Sequence, residues 1–150
     1  MKQSLILSIS LLFLSTFYVT GQTKQDSLDI RQVALDYIES QHNANPEQFE
    51  RAAHPRMVKR TFWTHKKTGK EYLRESFTDY MILLSKTYNQ DGKRFPKDPK
   101  KEVIILDVFD KTASVKLIAD EWIDYMHIVK LNEKWKVVNV LWQFNDSEKH

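Results

Sequence analysis

Cysteine is absent from this sequence, which excludes a disulfide framework and any thiolate metal site. Glycine is nearly as scarce: of three in the chain, only Gly69 and Gly92 lie beyond residue 21. Phosphate-cradling loops and dinucleotide fingerprints need several backbone positions free of Cβ, so nucleotide-dependent chemistry is not expected and no cofactor is implied. The five histidines lack HxH or HExxH spacing, so no metal site is expected, and no serine sits in a nucleophile elbow. Long apolar runs are also missing after residue 21, the longest being Val103 to Leu106, which is far short of a membrane span.

The one long apolar stretch stands at the start. "SLILSISLLFLSTFYVTG" is interrupted by Ser8, Ser10, Ser15 and Thr16, and ends with Val19 and Gly21 at the −3 and −1 positions of a cleavage site. Residues 1–21 therefore read as a secretory signal whose removal leaves Gln22 as the new terminus. No cysteine follows it, so lipid anchoring is excluded and a periplasmic or secreted location is expected. The remaining 129 residues carry 22 basic and 20 acidic groups, a near-neutral balance, and suffice for a single domain, 22–150, with its own core. The basic segment "KRFPKDPKK", Lys93 to Lys101, reads as a solvated loop rather than a phosphate or acidic-lipid patch. Neither nucleic acid nor, after cleavage, a membrane is an expected partner.

Periodicity organises the rest. Asp26 to His42 repeats Ile30, Val33, Ala34, Tyr37, Ile38 and Gln41 at helical spacing, an amphipathic helix with Tyr37 on its inner face. Asn45, Pro46 and Gln48 form the start of a short second helix that Pro55 ends just after His54. "TFWTH" and "EYLRES" flank "KKTGK", a hairpin whose Gly69 can take positive φ, with Phe62 and Trp63 on opposite faces. Thr78 is placed to cap a third helix, "TDYMILLSKTY". Four strands in meander order follow: Glu102 to Phe109, Thr112 to Ala119, Trp122 to Leu131 and Lys134 to Phe144.

Alternation places Ile123, Tyr125, His127, Val129 and Leu131 on one face, and Trp122, Asp124, Met126 and Ile128 on the other. Asp124 and His127, three apart, reach one side only through a β-bulge between them. In the last strand the same alternation sets Trp135, Val137 and Leu141 against Val138, Val140 and Trp142. A sheet apolar on both faces must cover both, with helices on one side and a second subunit on the other, so a homodimer is expected.

The ending "DYMHIVKLNEKWKVVNVLW", with "ALDYIES…ERAAHP" near the start, resembles the putative lumazine-binding family of the nuclear-transport-factor-2-like superfamily. Glu133 stands where that family's turn usually has glycine. The resemblance implies an α+β fold, a nuclear-transport-factor-2-like (cystatin-like) cone of three N-terminal helices against a strongly curved antiparallel sheet, with a pocket at its open end. Members of the superfamily include ketosteroid isomerases, scytalone dehydratase, polyketide cyclases and many proteins without chemistry.

Two kinds of site fit that implication. The first is acid–base catalysis of an isomerase or lyase, for which burial would bring His54, Asp124 or His127 toward neutral pKa values. Each has a structural alternative: a helix C-cap for His54, a hydrogen-bonded core position for His127, and an exposed or Tyr-bonded acid for Asp124. The second is binding of a small apolar or aromatic ligand, with Tyr37, Trp63, Tyr80, Tyr125, Trp122 and Trp142 as walls and Asn139 and the histidines orienting it; core packing is the alternative for each ring. A third possibility is a dimeric interaction module without chemistry.

Overall fold

In a computed structural model of the chain, the described residues are 23–146. The expected signal, residues 1–21, lies outside them. In chain order they form α1 (Lys24–His42), α2 (Pro46–Ala52), β1 (Ala53–Thr64), β2 (Glu71–Phe77), α3 (Thr78–Thr87), β3 (Lys101–Phe109), β4 (Thr112–Ala119), β5 (Trp122–Leu131) and β6 (Lys134–Phe144). Two helices thus precede the hairpin and the third follows it.

Helix α1 begins earlier than the apolar stripe suggests, because a capping box starts it. Thr23 Oγ1 accepts the Asp26 N–H at 3.0 Å, and the Asp26 carboxylate accepts the Thr23 N–H at 3.3 Å. The same carboxylate accepts from Lys130 Nζ and Trp135 Nε1, both at 3.1 Å, tying the first turn of α1 to β5 and β6. The Thr23 hydroxyl first, then Lys130 and Trp135, hold the Asp26 carboxyl well below the usual carboxylate range. Helix α2 has the expected Asn45 cap and Pro46 at its start.

That helix ends sooner than expected, at Ala52, and β1 runs straight through His54 and Pro55. Proline is tolerated because the β1–β6 pairing jumps from Ala53↔Val137 to Val58↔Asn139, leaving no ladder bond for Pro55 to break. Thr78 is not the cap of α3. Phe77 occupies that position, and the Thr78 hydroxyl instead lies 3.1 Å from the His54 carbonyl and 3.2 Å from that of Met57, joining α3 to the irregular part of β1. The hairpin turn is as expected, with Gly69 at φ 66.

The six strands form one sheet in the order β2-β1-β6-β5-β4-β3, antiparallel throughout except for the parallel β1–β6 pair. A parallel neighbour is possible there because the whole meander intervenes between the two strands. Between β5 and β6 the register passes from His127↔Asn139 to Ile128↔Val137, so Val138 has no partner. This bulge corrects the alternation expected for the last strand. Trp135 and Val137 before it, and Val140 and Trp142 after it, all face the helices, while Leu141 turns outward. Asp124 and His127 stay on opposite faces, since the extra residue is in β6 and not between them.

The core lies between the inner face of the sheet and the helices. Val115, Leu117, Met126, Ile128, Val137 and Val140 meet Ile30, Ala34, Tyr37 and Ile38 of α1 and Phe49 of α2. Fully burying each large side chain contributes roughly 1.5–3 kcal/mol.

At the β5–β6 turn, Asn132 and Glu133 both have positive φ, 48 and 61. A left-handed glutamate costs on the order of 1 kcal/mol, which glycine avoids. Its ion pair with Lys130, 3.3 Å, is too exposed to offset much of that. E133G is therefore expected to raise stability by about 0.5–1 kcal/mol in urea denaturation, and a lowered midpoint would refute the strain account. Because the Asp26 pKa is depressed on folding, its contribution is present above the unfolded value of 3.8 and lost as pH falls below it. D26N should be less stable than the parent at pH 7, and that deficit should shrink on acidification; a pH-independent deficit would rule out this linkage.

Candidate functional site

A cavity of about 200 Å³ opens between α1, α3 and the inward face of the sheet near the ends of β5 and β6. Three groups of side chains make it. The hairpin supplies Lys59, Trp63, Arg74 and Ser76; α1 and α3 supply Ile38, Gln41, Tyr80, Met81 and Leu84, with Tyr88 following α3; β5 and β6 supply Trp122, Trp142 and Phe144. A dry cavity of about 150 Å³ accepts benzene, so this one has the size for one ring with substituents or two fused rings.

Strand alternation explains why the hairpin contributes both rings and charges. Lys59, Thr61 and Trp63 point inward from β1, and their register partners Ser76, Arg74 and Tyr72 share that face of β2. Trp63 stands 6.5 Å from Trp142, centroid to centroid, and Trp142 meets the edge of Phe144 at 5.4 Å. At the other end Phe95, from the basic loop, packs on Tyr88 and Trp122 and lies 4.3 Å from the His42 ring. Arg94 stacks on Tyr88 at 3.7 Å. The segment expected to be only a solvated loop is thus pinned by its single aromatic residue.

Beneath the cavity lies an ion pair. Lys59 Nζ is 3.2 Å from Asp124 Oδ1, with side-chain exposures of 11% and 2%. The ammonium also sits 5.1 Å from the Trp142 ring and 5.4 Å from the Tyr37 ring, so two π-faces flank it. Burial pushes the Asp124 carboxyl up, and Lys59 opposes that shift. Tyr37 is completely buried, with its hydroxyl lacking a hydrogen-bond partner; desolvation and then the Asp124 charge raise its pKa well above the ordinary value. Gln41 is 5% exposed, and its Nε2 also has no partner.

The residues singled out from the sequence divide into three sets. Trp63, Tyr80, Trp122 and Trp142 line the cavity. Tyr37 and Asp124 lie behind its wall, joined to it through Lys59. His54, His127, Tyr125 and Asn139 are elsewhere. His54 is in β1, not at a helix end, and its Nδ1 accepts the Arg56 N–H at 3.1 Å. His127, Tyr125 and Asn139 are on the outer face, where Arg60 donates to Asn139 Oδ1 at 2.8 Å and Asn139 Nδ2 lies 3.5 Å from His127 Nδ1.

Sequence reasoning missed Lys59, Arg74 and the environment of His42. Lys59 is 65 residues from Asp124, and only the inward parity it shares with Trp63 could have marked it. Gln41 was visible on the inner stripe of α1. His42 Nε2 lies 3.3 Å from Asp120 Oδ2, beside the Phe95 ring, and burial pushes its pKa down against the pull of Asp120. No cluster of three His, Asp or Glu side chains suited to a metal exists among the described residues.

The curved sheet, the helices it encloses and the cavity between them define a nuclear-transport-factor-2-like α+β protein. Solved structures share that fold. One is an NTF-2-like protein of unknown function from Silicibacter pomeroyi, 13% identical over 83% of this chain and 100% of that one, with TM-score 0.67. Another is a ketosteroid isomerase-like protein from Erwinia carotovora atroseptica, at 9% identity, 83% and 99% coverage and TM-score 0.55. A third, described as a putative scytalone dehydratase, comes from Novosphingobium aromaticivorans, at 14% identity, 81% and 85% coverage and TM-score 0.51. No protein of curated function matches the sequence. The chain belongs to the putative lumazine-binding family, which matches residues 24–143.

The Lys59–Asp124 pair gives a direct test of the site's construction. D124A leaves a nearly buried ammonium unpaired and should cost about 3 kcal/mol, whereas K59M/D124L should return to within about 1 kcal/mol of the parent. Equilibrium urea denaturation measures both; a D124A cost no larger than that of the double variant would show that the pair is not the floor's main constraint.

Proposed function

We propose that this protein is an exported small-molecule-binding protein whose cavity holds an apolar or aromatic ligand. The observation that carries the reading is the cavity itself, about 200 Å³ with Trp63, Tyr80, Tyr88, Trp122, Trp142 and Phe144 in its walls. Ligand sites combine such apolar and aromatic walls with a few placed polar groups, here Lys59, Gln41, Arg74 and Ser76. Family membership supports a small ligand as the partner class, and the apolar leader at residues 1–21 supports export. No helix among the described residues is long and apolar enough to cross a membrane.

Isomerase or lyase chemistry ranks second. The names of the Erwinia and Novosphingobium structures favour it, as does the raised pKa of Asp124 beside Lys59. Against it, Asp124 lies behind the wall and neither His54 nor His127 borders the cavity.

The proposal includes a homodimer joined through the outer sheet face. Phe62, Leu73, Tyr125 and Leu141 are each 41–60% exposed there, an apolar surface that the protein's own helices leave uncovered. Native mass spectrometry of the protein purified from its own host tests the reading. A dimer that retains a small organic molecule is the expected result; an empty protein that also gains no thermal stability from any aromatic compound screened would overturn the binding role, and a monomer at high concentration would remove the dimer.

A further inference from the structure

The charged side chains that line the cavity have one sign. Among the described residues its only ionisable acid–base side chains other than tyrosine are Lys59 and Arg74. Nearby carboxylates are engaged elsewhere. Asp124 is behind Lys59; Glu75 points to the opposite face and pairs with Arg60 at 2.7 Å; Asp79 accepts the Tyr80 N–H at 2.7 Å. Arg74 stacks 5.1 Å from the Trp63 ring and makes no ion pair among the described residues. A stacked guanidinium keeps its edge donors available for a bidentate acceptor.

The neutral polar group inside repeats the theme. Gln41 is almost fully buried, lines the cavity, and has an Nε2 without an acceptor. A buried donor left unmade costs free energy, so an occupant that accepts from it gains what the empty site forgoes. Lys59 and Arg74 project from neighbouring register positions of the same hairpin face, since Lys59 pairs with Ser76 and Arg74 with Thr61. An occupant must therefore present acceptors to this wall and a flat apolar body to the rings of Trp63, Trp142 and Phe144 opposite and beside it.

We propose that the cavity binds an aromatic carboxylate of one or two rings, its carboxylate against Arg74 and Lys59 and its ring among the tryptophans. This rests on the binding role argued above and specifies the ligand's class. A second acceptor on the ring, a carbonyl or phenolic oxygen, meets Gln41. Neutral aromatics of the same shape bind more weakly, because they desolvate the Arg74 guanidinium without supplying a negative charge, Lys59 being already compensated by Asp124.

Isothermal titration with 2-naphthoate and its uncharged isostere 2-naphthamide separates this proposal from the one beneath it. The carboxylate is expected to bind about tenfold more tightly than the amide, the size of one charge-assisted hydrogen bond. R74Q should abolish most of that preference while R74K keeps only the part owed to charge, and far-UV circular dichroism and thermal midpoints should show that all three proteins are folded. Equal affinities in the parent, or a preference untouched by R74Q, would overturn the anion assignment and leave the aromatic pocket standing. Binding of neither compound would overturn the aromatic-carboxylate assignment, and the binding role falls with it when the protein from its own host is also empty and no aromatic compound stabilises it.

Discussion

One unpaired residue decides what the inside of this protein contains. Without the bulge at Val138, strict alternation would place Trp135 and Val137 on one face of β6 and Val140 and Trp142 on the other. The cavity would then lose Trp142, and the core would lose either its closed end or its wall. With the bulge, the first half of β6 packs on α1, and the second half turns its rings toward the hairpin and α3. Further irregularities at Ala53–Val58 in β1 and Ile105–Asp107 in β3 act in the same way, because a strand with an extra residue bends and twists more. The sheet can enclose its helices because it is interrupted where it needs to turn.

Inside that curve the chemistry is uneven. Deep toward α2 the contents are aliphatic, together with the Tyr37–Phe49 contact at 5.6 Å. Toward the hairpin they become a layer of rings over a buried ion pair, with a phenol and an amide that have unspent hydrogen-bonding capacity. Evolved interiors leave few polar groups unpartnered; here the Gln41 amide is in the cavity wall and the Tyr37 hydroxyl is buried behind it. The pair also explains why Lys59 can be lodged there at all: Asp124 neutralises it from behind while Trp142 and Tyr37 flank it.

Much of this was legible beforehand. The order of helices, hairpin, helix and meander follows from 3.6- and 2-residue periods, and the inner faces of α1 and β5 were readable residue by residue. What could not be read were events that break periodicity or join distant segments. Nothing local marks Val138 as extra, since Val137 before it and Val140 beyond Asn139 suit either face. The early start of β1 was masked by Pro55, which ordinarily ends regular structure but sits here where the ladder is already broken. The charged wall was hidden for another reason: Lys59 and Arg74 look like surface residues in a 29% charged chain until register shows that they share the side of Trp63.

The hairpin that carries those cations is also the least anchored wall. Among the described residues, strand β2 is an edge strand with β1 as its only partner, and apart from Ser76 every residue in it is exposed. The opposite walls, by contrast, rise from strands paired on both sides and continuous with the core. Segments with few buried contacts open at low free energy, well below that of global unfolding. On the proposed binding role, an occupant would enter by a local opening of β2, much as a flap lifts, without disturbing β5 or β6. An occupant that bridges Arg74 to the interior would close that flap behind itself, so residence time, more than encounter rate, would report how well it fits.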